Sequence, residues 1–241
     1  MSSSNSPAAG PSRNNISCST DFETFLQGWL VRQQHFYQLL QTTLENIHQH
    51  DEDDLTVLVS KVLSHYHLYY ERKSEMATHN VFIVFSPTWF TPFEKTFFWV
   101  GGFRPSLAFK VMETVIKNED LTEQQRQRMN MLKDNVAREE ADVAKEMAST
   151  QEKVAIDQAI MEAVKKMENL VDGEIVEVDT VLRGLRTSME TVLTWADSLR
   201  VATVGKVTQI LSPVQCIEFL AAATKLHLRV RTRGMQLTGR N

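Results

Sequence analysis

A chain of 241 residues with 42% apolar and 23% charged side chains can bury one full core and has ordinary globular composition. No run approaches the ~18 consecutive apolar residues of a membrane helix, and a formal net charge of −4 argues against a broad phosphate-binding face. Nine glycines and six prolines, gathered at the ends and a few breaks, leave long stretches that favour helix over strand.

Residues 1–19 are rich in Ser, Asn, Pro and Gly around a single Arg13, without the charged start and apolar core of a signal peptide, and read as a disordered tail. Two cysteines, Cys18 in that tail and Cys216 near the other end, suit reduced thiols of the nucleus or cytoplasm rather than a disulfide framework. Thr20, with Glu23 three residues on, is placed to cap a first helix whose broad apolar face runs through Phe22, Phe25, Leu26, Trp29, Phe36, Leu40 and Leu44. The acidic run Asp51 to Asp54 opens a second helix through Leu55, Val59, Val62, Tyr66, Tyr69 and Met76, since carboxylates suit a helix N-terminus.

Between Ser86 and Ser106 the apolar load and the punctuation both peak. Thr91, Pro92 and Glu94 form a capping box with proline at the first helical position, followed by Phe93, Phe97, Phe98, Trp99 and Val100. Aromatics on most of its circumference predict an encased helix that stops at Gly101-Gly102. A second helix restarts at Pro105, so the expectation is an aromatic helix hairpin.

Thr122 and Gln125 cap a stretch from Glu123 to about Val171 without glycine or proline. A continuous helix of that length would reach ~70 Å, so it either bends near Ser149-Thr150 or projects from the core. Its sparse line of Met129, Leu132, Val136, Val143, Met147, Val154, Ile160, Val164 and Met167, amid opposite charges, predicts coiled-coil-like pairing within the chain or with a second copy as a homodimer. Gly173 ends it. A further helix runs from about Val178 to Ile210, and Ser212-Pro213 with Gln215 opens the last one through Ile217, Leu220, Thr224 and Leu228. The predicted fold class is all-α, a bundle of about seven helices with one long central helix, and the domain is expected over residues 20–233 with a basic tail at 234–241.

The segment Trp89, Pro92-x-Glu94 and Phe98-Trp99-Val100-Gly101-Gly102-Phe103-Arg104-Pro105-Ser106 resembles the core of the plant Delay-of-Germination (seed dormancy) domain, which is shared with the C-terminal half of TGA-type bZIP transcription factors. The opening Asp21-Phe22-Glu23 to Trp29, the Ala196-Asp197-Ser198-Leu199-Arg200 segment and Leu211-Ser212-Pro213, Leu220-Ala221-Ala222 and Lys225-Leu226-His227-Leu228 resemble it in the same order. The resemblance implies a non-enzymatic plant regulator that binds proteins, in abscisic-acid-linked seed maturation or dormancy or in transcriptional regulation.

No phosphate-cradling glycine loop, nucleophile elbow or pair of carboxylates in a hydrophobic setting is present, so no catalytic residue is assigned. His48/His50 and His65/His67 are spaced i,i+2, which points the members apart on a helix and leaves no metal site. The resemblance links His227 to haem binding, although the second histidine of the dormancy members is here Arg231. It also links the first helix to docking of type 2C protein phosphatases. Asp21, Phe22, Phe25, Leu26 and Trp29 are the candidate partner-binding residues, on a face that either packs inward or serves as an anchor.

A second functional class is a ligand-sensing domain, with Trp89, Phe93, Phe97, Trp99 and Arg104 as the candidate pocket for an apolar or carboxylate-bearing molecule. Arg104 could equally cap carbonyls or pair with an acid. Lys225, Arg229, Arg231, Arg233 and Arg240 make the C-terminal end basic. Without a basic region and zipper in residues 1–19, autonomous DNA binding is not expected.

Overall fold

A computed structural model describes residues 13–156 and 172–239. The fold is all-α, with seven α-helices and one two-stranded hairpin among the described residues. They are α1 (Arg13–Glu45), α2 (Glu52–Phe85), α3 (Pro92–Lys95), β1 (Phe98–Trp99), β2 (Gly102–Phe103), α4 (Leu107–Glu113), α5 (Glu123–Ile156), α6 (Asp172–Ile210) and α7 (Pro213–Thr238).

Most caps follow the local chemistry. Asp51 accepts the Asp54 amide at the start of α2, and Thr91 with Glu94 and Ser212 with Gln215 form reciprocal capping boxes at α3 and α7. Thr122 and Gln125 exchange the same pair of bonds at α5. Thr20 is different. α1 begins at Arg13, so Thr20 lies inside it and uses its carbonyl to accept the Thr24 hydroxyl at 2.9 Å. At the other end α7 runs on to Thr238 and stops at left-handed Gly239, so residues 234–238 are helix rather than tail. Residues 1–12, Arg240 and the side chains of Cys18, Val154, Ile160, Val164 and Met167 lie outside the described residues.

The helix hairpin expected between Thr91 and Ser106 is replaced by a single helical turn and a β-hairpin. α3 ends at Lys95, and Phe98 pairs with Phe103 and Trp99 with Gly102 across a two-residue loop, Val100-Gly101. Both loop residues have positive φ, 48° and 68°, as primed hairpin turns require. Phe97 is consequently 42% exposed, and Trp99 is half-buried rather than encased.

α1 and α2 lie antiparallel, with Phe22 against Tyr69 and Trp29 stacked on His65. α7 packs on both, and α5 and α6 form a second antiparallel pair joined to them through α2 and α4. The main cluster unites Leu40, Val62, Met112, Met129, Val136, Val207, Ile217 and Phe219, each fully burying a side chain at roughly 1.5–3 kcal/mol for a residue of that size. The described part of that stripe, Met129 to Met147, therefore packs within the chain, Val143 and Met147 meeting Val192 and Ala196 of α6. α5 continues unbroken through Ser149-Thr150 to Ile156, and Gly173 lies in the first turn of α6.

Candidate functional site

The aromatic-glycine segment is a clasp that fastens three helices. Arg200 of α6 donates from Nε to the Phe103 carbonyl at 2.6 Å and from Nη2 to the carbonyls of Trp99 and, at 2.9 Å, Val100. Its Nη1 meets Asp197 one turn earlier. A β-branched residue at positive φ is strained by about 1–3 kcal/mol, and holding both flanking carbonyls of Val100 in one guanidinium fork stabilises that turn. A side chain at Gly101 would also press on Leu193, with its Cβ 2.9 Å from Cδ1.

On the other side of the motif, buried Glu140 of α5 accepts the Ser106 amide at 2.7 Å and pairs with Arg104 Nε at 3.0 Å. Arg104 thus takes the structural role of an acid partner, and its guanidinium lies 5.6 Å from the Trp99 ring centre, with that of Arg200 at 5.5 Å. Phe103 stacks on His227 of α7, centroids 4.9 Å apart and planes within 11°.

Two buried ionic groups sit beneath the clasp. Lys73 of α2, 2% exposed, donates to Asp197 at 2.8 Å, and burial lowers its pKa to about 8 against the opposing pull of Asp197. Glu94 of α3 is buried too. Its Oε2 accepts from the Thr91 amide at 2.7 Å and hydroxyl at 2.8 Å, and Arg231 of α7 reaches both of its oxygens at 3.1–3.2 Å and the Trp89 carbonyl at 2.8 Å. Gly234, one turn after Arg231, lies so close to Thr91 that a Cβ there would overlap the hydroxyl.

The candidate partner-binding residues divide. Phe22, Leu26 and Trp29 are buried against α2, Trp89 and Leu193, and the Trp29 indole donates to the His65 carbonyl at 2.9 Å. That face packs inward because the aromatic side chains of α2 meet it. Asp21 stays exposed, and Phe25 lies on the helix flank beneath the Arg72 guanidinium, 5.8 Å from its ring centre.

The candidate ligand pocket is dispersed. Trp89 packs on Phe22, Phe93 and Phe97 meet edge-on at 5.3 Å, and Trp99 lies between two arginines, because the chain turns back at Val100 instead of continuing as a helix. Arg104 alone of the five lines the apolar cavity between α2, α4, α6 and α7. That cavity, about 240 Å³, is walled by Leu63, Leu107, Val204, Phe219, Ala223 and Leu226, with Tyr66, His67, Tyr70 and His227 also in its lining. A smaller one of about 90 Å³ lies beyond Tyr66, Phe103 and His227, against Lys73, Glu94 and Arg231.

His227 does not fit a haem. Its Nδ1 lies 3.3 Å from the Tyr66 hydroxyl and one ring face is covered by Phe103, while Arg231 is engaged with Glu94. An engineered cavity of roughly 150 Å³ holds one benzene, so 240 Å³ is too small for a tetrapyrrole. No group of three or more metal-ligating side chains occurs among the described residues.

Burial lowers the pKa of His227 to about 4, and that of His65, aided by Arg32, equally far. Both are neutral when folded and bind protons near pH 6.5 when unfolded, so stability is full above pH 6.5 and falls as pH drops toward 4. Each proton steepens the dependence by roughly 1.4 kcal/mol per pH unit. Urea midpoints between pH 7 and 4.5 should therefore fall less steeply for the His65→Gln/His227→Gln double variant than for the parent. Equal slopes would place both imidazoles in water.

The family model described as DOG1, seed dormancy control, matches residues 37–114. Protein RESPONSE TO ABA AND SALT 1 of Arabidopsis thaliana is 36% identical over 229 residues, covering 92% of this chain and 98% of the relative. The chain belongs to the DOG1 family. Protein ZW2 of the same plant is 34% identical over 230 residues, 91% of this chain and 98% of the relative. Transcription factor TGA2.3 of Oryza sativa subsp. japonica is 31% identical over 186 residues, 77% of this chain but 55% of that protein, so this DOG1 chain corresponds to about half of it.

Lys73, Glu140 and Tyr66 were not legible as site residues in the sequence. Asp197 and Arg200 stood in a family motif, and the pairing of buried charge with the Gly-Gly turn is what that motif does here.

Proposed function

We propose that this DOG1 chain is a non-enzymatic regulator that works by holding protein partners in the nucleus, the cytoplasm or both, in abscisic-acid-linked seed maturation or dormancy or in transcriptional co-regulation. The reading rests above all on the end-to-end match to a relative named for its response to ABA and salt. Kinship with TGA transcription factors supports the transcriptional side of it, and no described helix is long and apolar enough to cross a membrane.

A type 2C protein phosphatase or a transcription factor is the partner class. It docks on the outer flank of α1, where Asp21, Phe25 and Arg32 follow one another at helical spacing, with Val31, 72% exposed, on the adjoining face. Binding energy in such a surface concentrates in an aromatic anchor, and Phe25 is the one at hand. Phe25→Ala should weaken capture of a purified type 2C phosphatase at least tenfold and lower the melting temperature far less than Phe22→Ala and Trp29→Ala, since Phe25 is half-buried at the edge of the core that those two fill. Full capture by well-folded Phe25→Ala would move the interface off this helix, and loss of capture only on substituting exposed residues of α5 would place it there.

A further inference from the structure

We propose that the cavity between α2, α4, α6 and α7 is a binding site for a compact, uncharged molecule of one or two fused rings bearing a single hydroxyl or carbonyl. Its volume of about 240 Å³ exceeds the roughly 150 Å³ that accommodates one benzene by about one further ring. Its walls are aliphatic and aromatic side chains from four separate elements, as in bundle ligand sites.

Charge is disfavoured in the interior, because the wall there is apolar and the buried cation, Arg200, is already held by the hairpin and Asp197. Arg200 spends four of its five N–H groups on three backbone carbonyls and Asp197, and Arg104 holds Glu140 through Nε with the rest of its guanidinium turned to solvent at the mouth. A carboxylate entering the cavity would lose its water without gaining an ion partner, which strongly disfavours its charged form.

The lining also carries His67 and Tyr70, and His227 is the polar side chain that stacking and hydrogen bonding hold in place. His227 is fixed by Phe103 stacking and by the Tyr66 hydroxyl at Nδ1, and its Nε2 makes no hydrogen bond to a described residue. Tyr66 is itself held by Gln33 and lies 3.3 Å from Thr224, so the imidazole cannot swing away to find another partner without breaking that set. A neutral imidazole offers one donor and one acceptor, and with Nδ1 committed to Tyr66 its Nε2 suits a single hydroxyl or carbonyl.

The probe is 2-naphthol, read by its fluorescence and by calorimetry on the full chain at pH 7, beside naphthalene, 2-naphthoate, laurate and haemin. The expected result is saturable one-to-one binding of 2-naphthol with a raised melting temperature, and binding of 2-naphthoate at least tenfold weaker. His227→Phe should reduce 2-naphthol to the affinity of naphthalene. Ala223→Phe and Val204→Phe, which fill the cavity from α7 and α6, should each abolish binding, and either one that folds suffices. The proposal is overturned if 2-naphthoate or laurate binds as tightly as 2-naphthol, if haemin binds stoichiometrically, if a folded filling variant still binds 2-naphthol, or if none of the neutral rings binds, which would make the cavity a packing void.

Discussion

Arg200→Met should lower stability by about 3–5 kcal/mol, because Arg200 is the donor shared by three carbonyls of the hairpin. The carbonyls of Trp99, Val100 and Phe103 lose their donor together, and each buried acceptor left unmade costs about 1–3 kcal/mol, with the losses overlapping because they belong to one hairpin. For a chain of this size the melting temperature should fall by roughly 6–20 °C. Near-ultraviolet circular dichroism of Trp99 should change with it, since the ring loses one of its two flanking guanidiniums.

Lys73→Met supplies the control that separates the clasp from simple charge pairing. Lys73 is the more deeply buried cation, yet it touches no carbonyl of the hairpin, and Asp197 retains Arg200 when it is gone. Methionine of similar length removes the desolvation penalty that lowers the lysine pKa. The variant should therefore stay within about 1 kcal/mol of the parent. Equal damage from the two substitutions would mean that the ion pair, and not the fork on the hairpin carbonyls, holds α6 in place.

Features resting on residues three or four apart were legible in the sequence. The caps at Asp51, Thr91, Thr122 and Ser212 and the helical spacing of α2, α5 and α7 fall in this class, because donor and acceptor are neighbours in the chain. The start of α1 was misplaced for the same reason: Ser and Thr that fit a cap also fit a helix interior when they back-bond to a carbonyl, as Thr24 does.

The hairpin was hidden by Val100, since a valine at positive φ is not a turn signal, although the run Phe97-Phe98-Trp99-Val100 before two glycines has strand composition. What no local pattern reveals is pairing across the chain. Lys73 and Asp197 are 124 positions apart, and Arg231 and Glu94 are 137, so the sequence showed an ordinary basic stretch where the fold turns one half-buried cation onto a buried acid.

Arg231 marks where this chain departs from the dormancy pattern it otherwise resembles, and its loss should be as damaging as that of Arg200. Arg231→Leu leaves Glu94 buried with only Thr91 as donor and the Trp89 carbonyl unmet, at a cost of about 3–5 kcal/mol. Arg231→Lys should retain most stability, because the charge survives, and lose only the geometry that lets one guanidinium nitrogen reach three oxygens.

Arg231→His tests the junction from another direction. Beside Glu94 its folded pKa would lie above the unfolded value near 6.5, so its contribution is full below pH 6.5 and is lost as pH rises through the folded value. Urea midpoints should then show Arg231→His recovering toward the parent at pH 5.5 and falling away from it at pH 8. A deficit independent of pH would mean that the guanidinium acts through shape and the Trp89 carbonyl alone. A six-coordinate haem spectrum in this variant but not in the parent would instead show that the one substitution, and not the size of the cavity, separates this chain from haem binding.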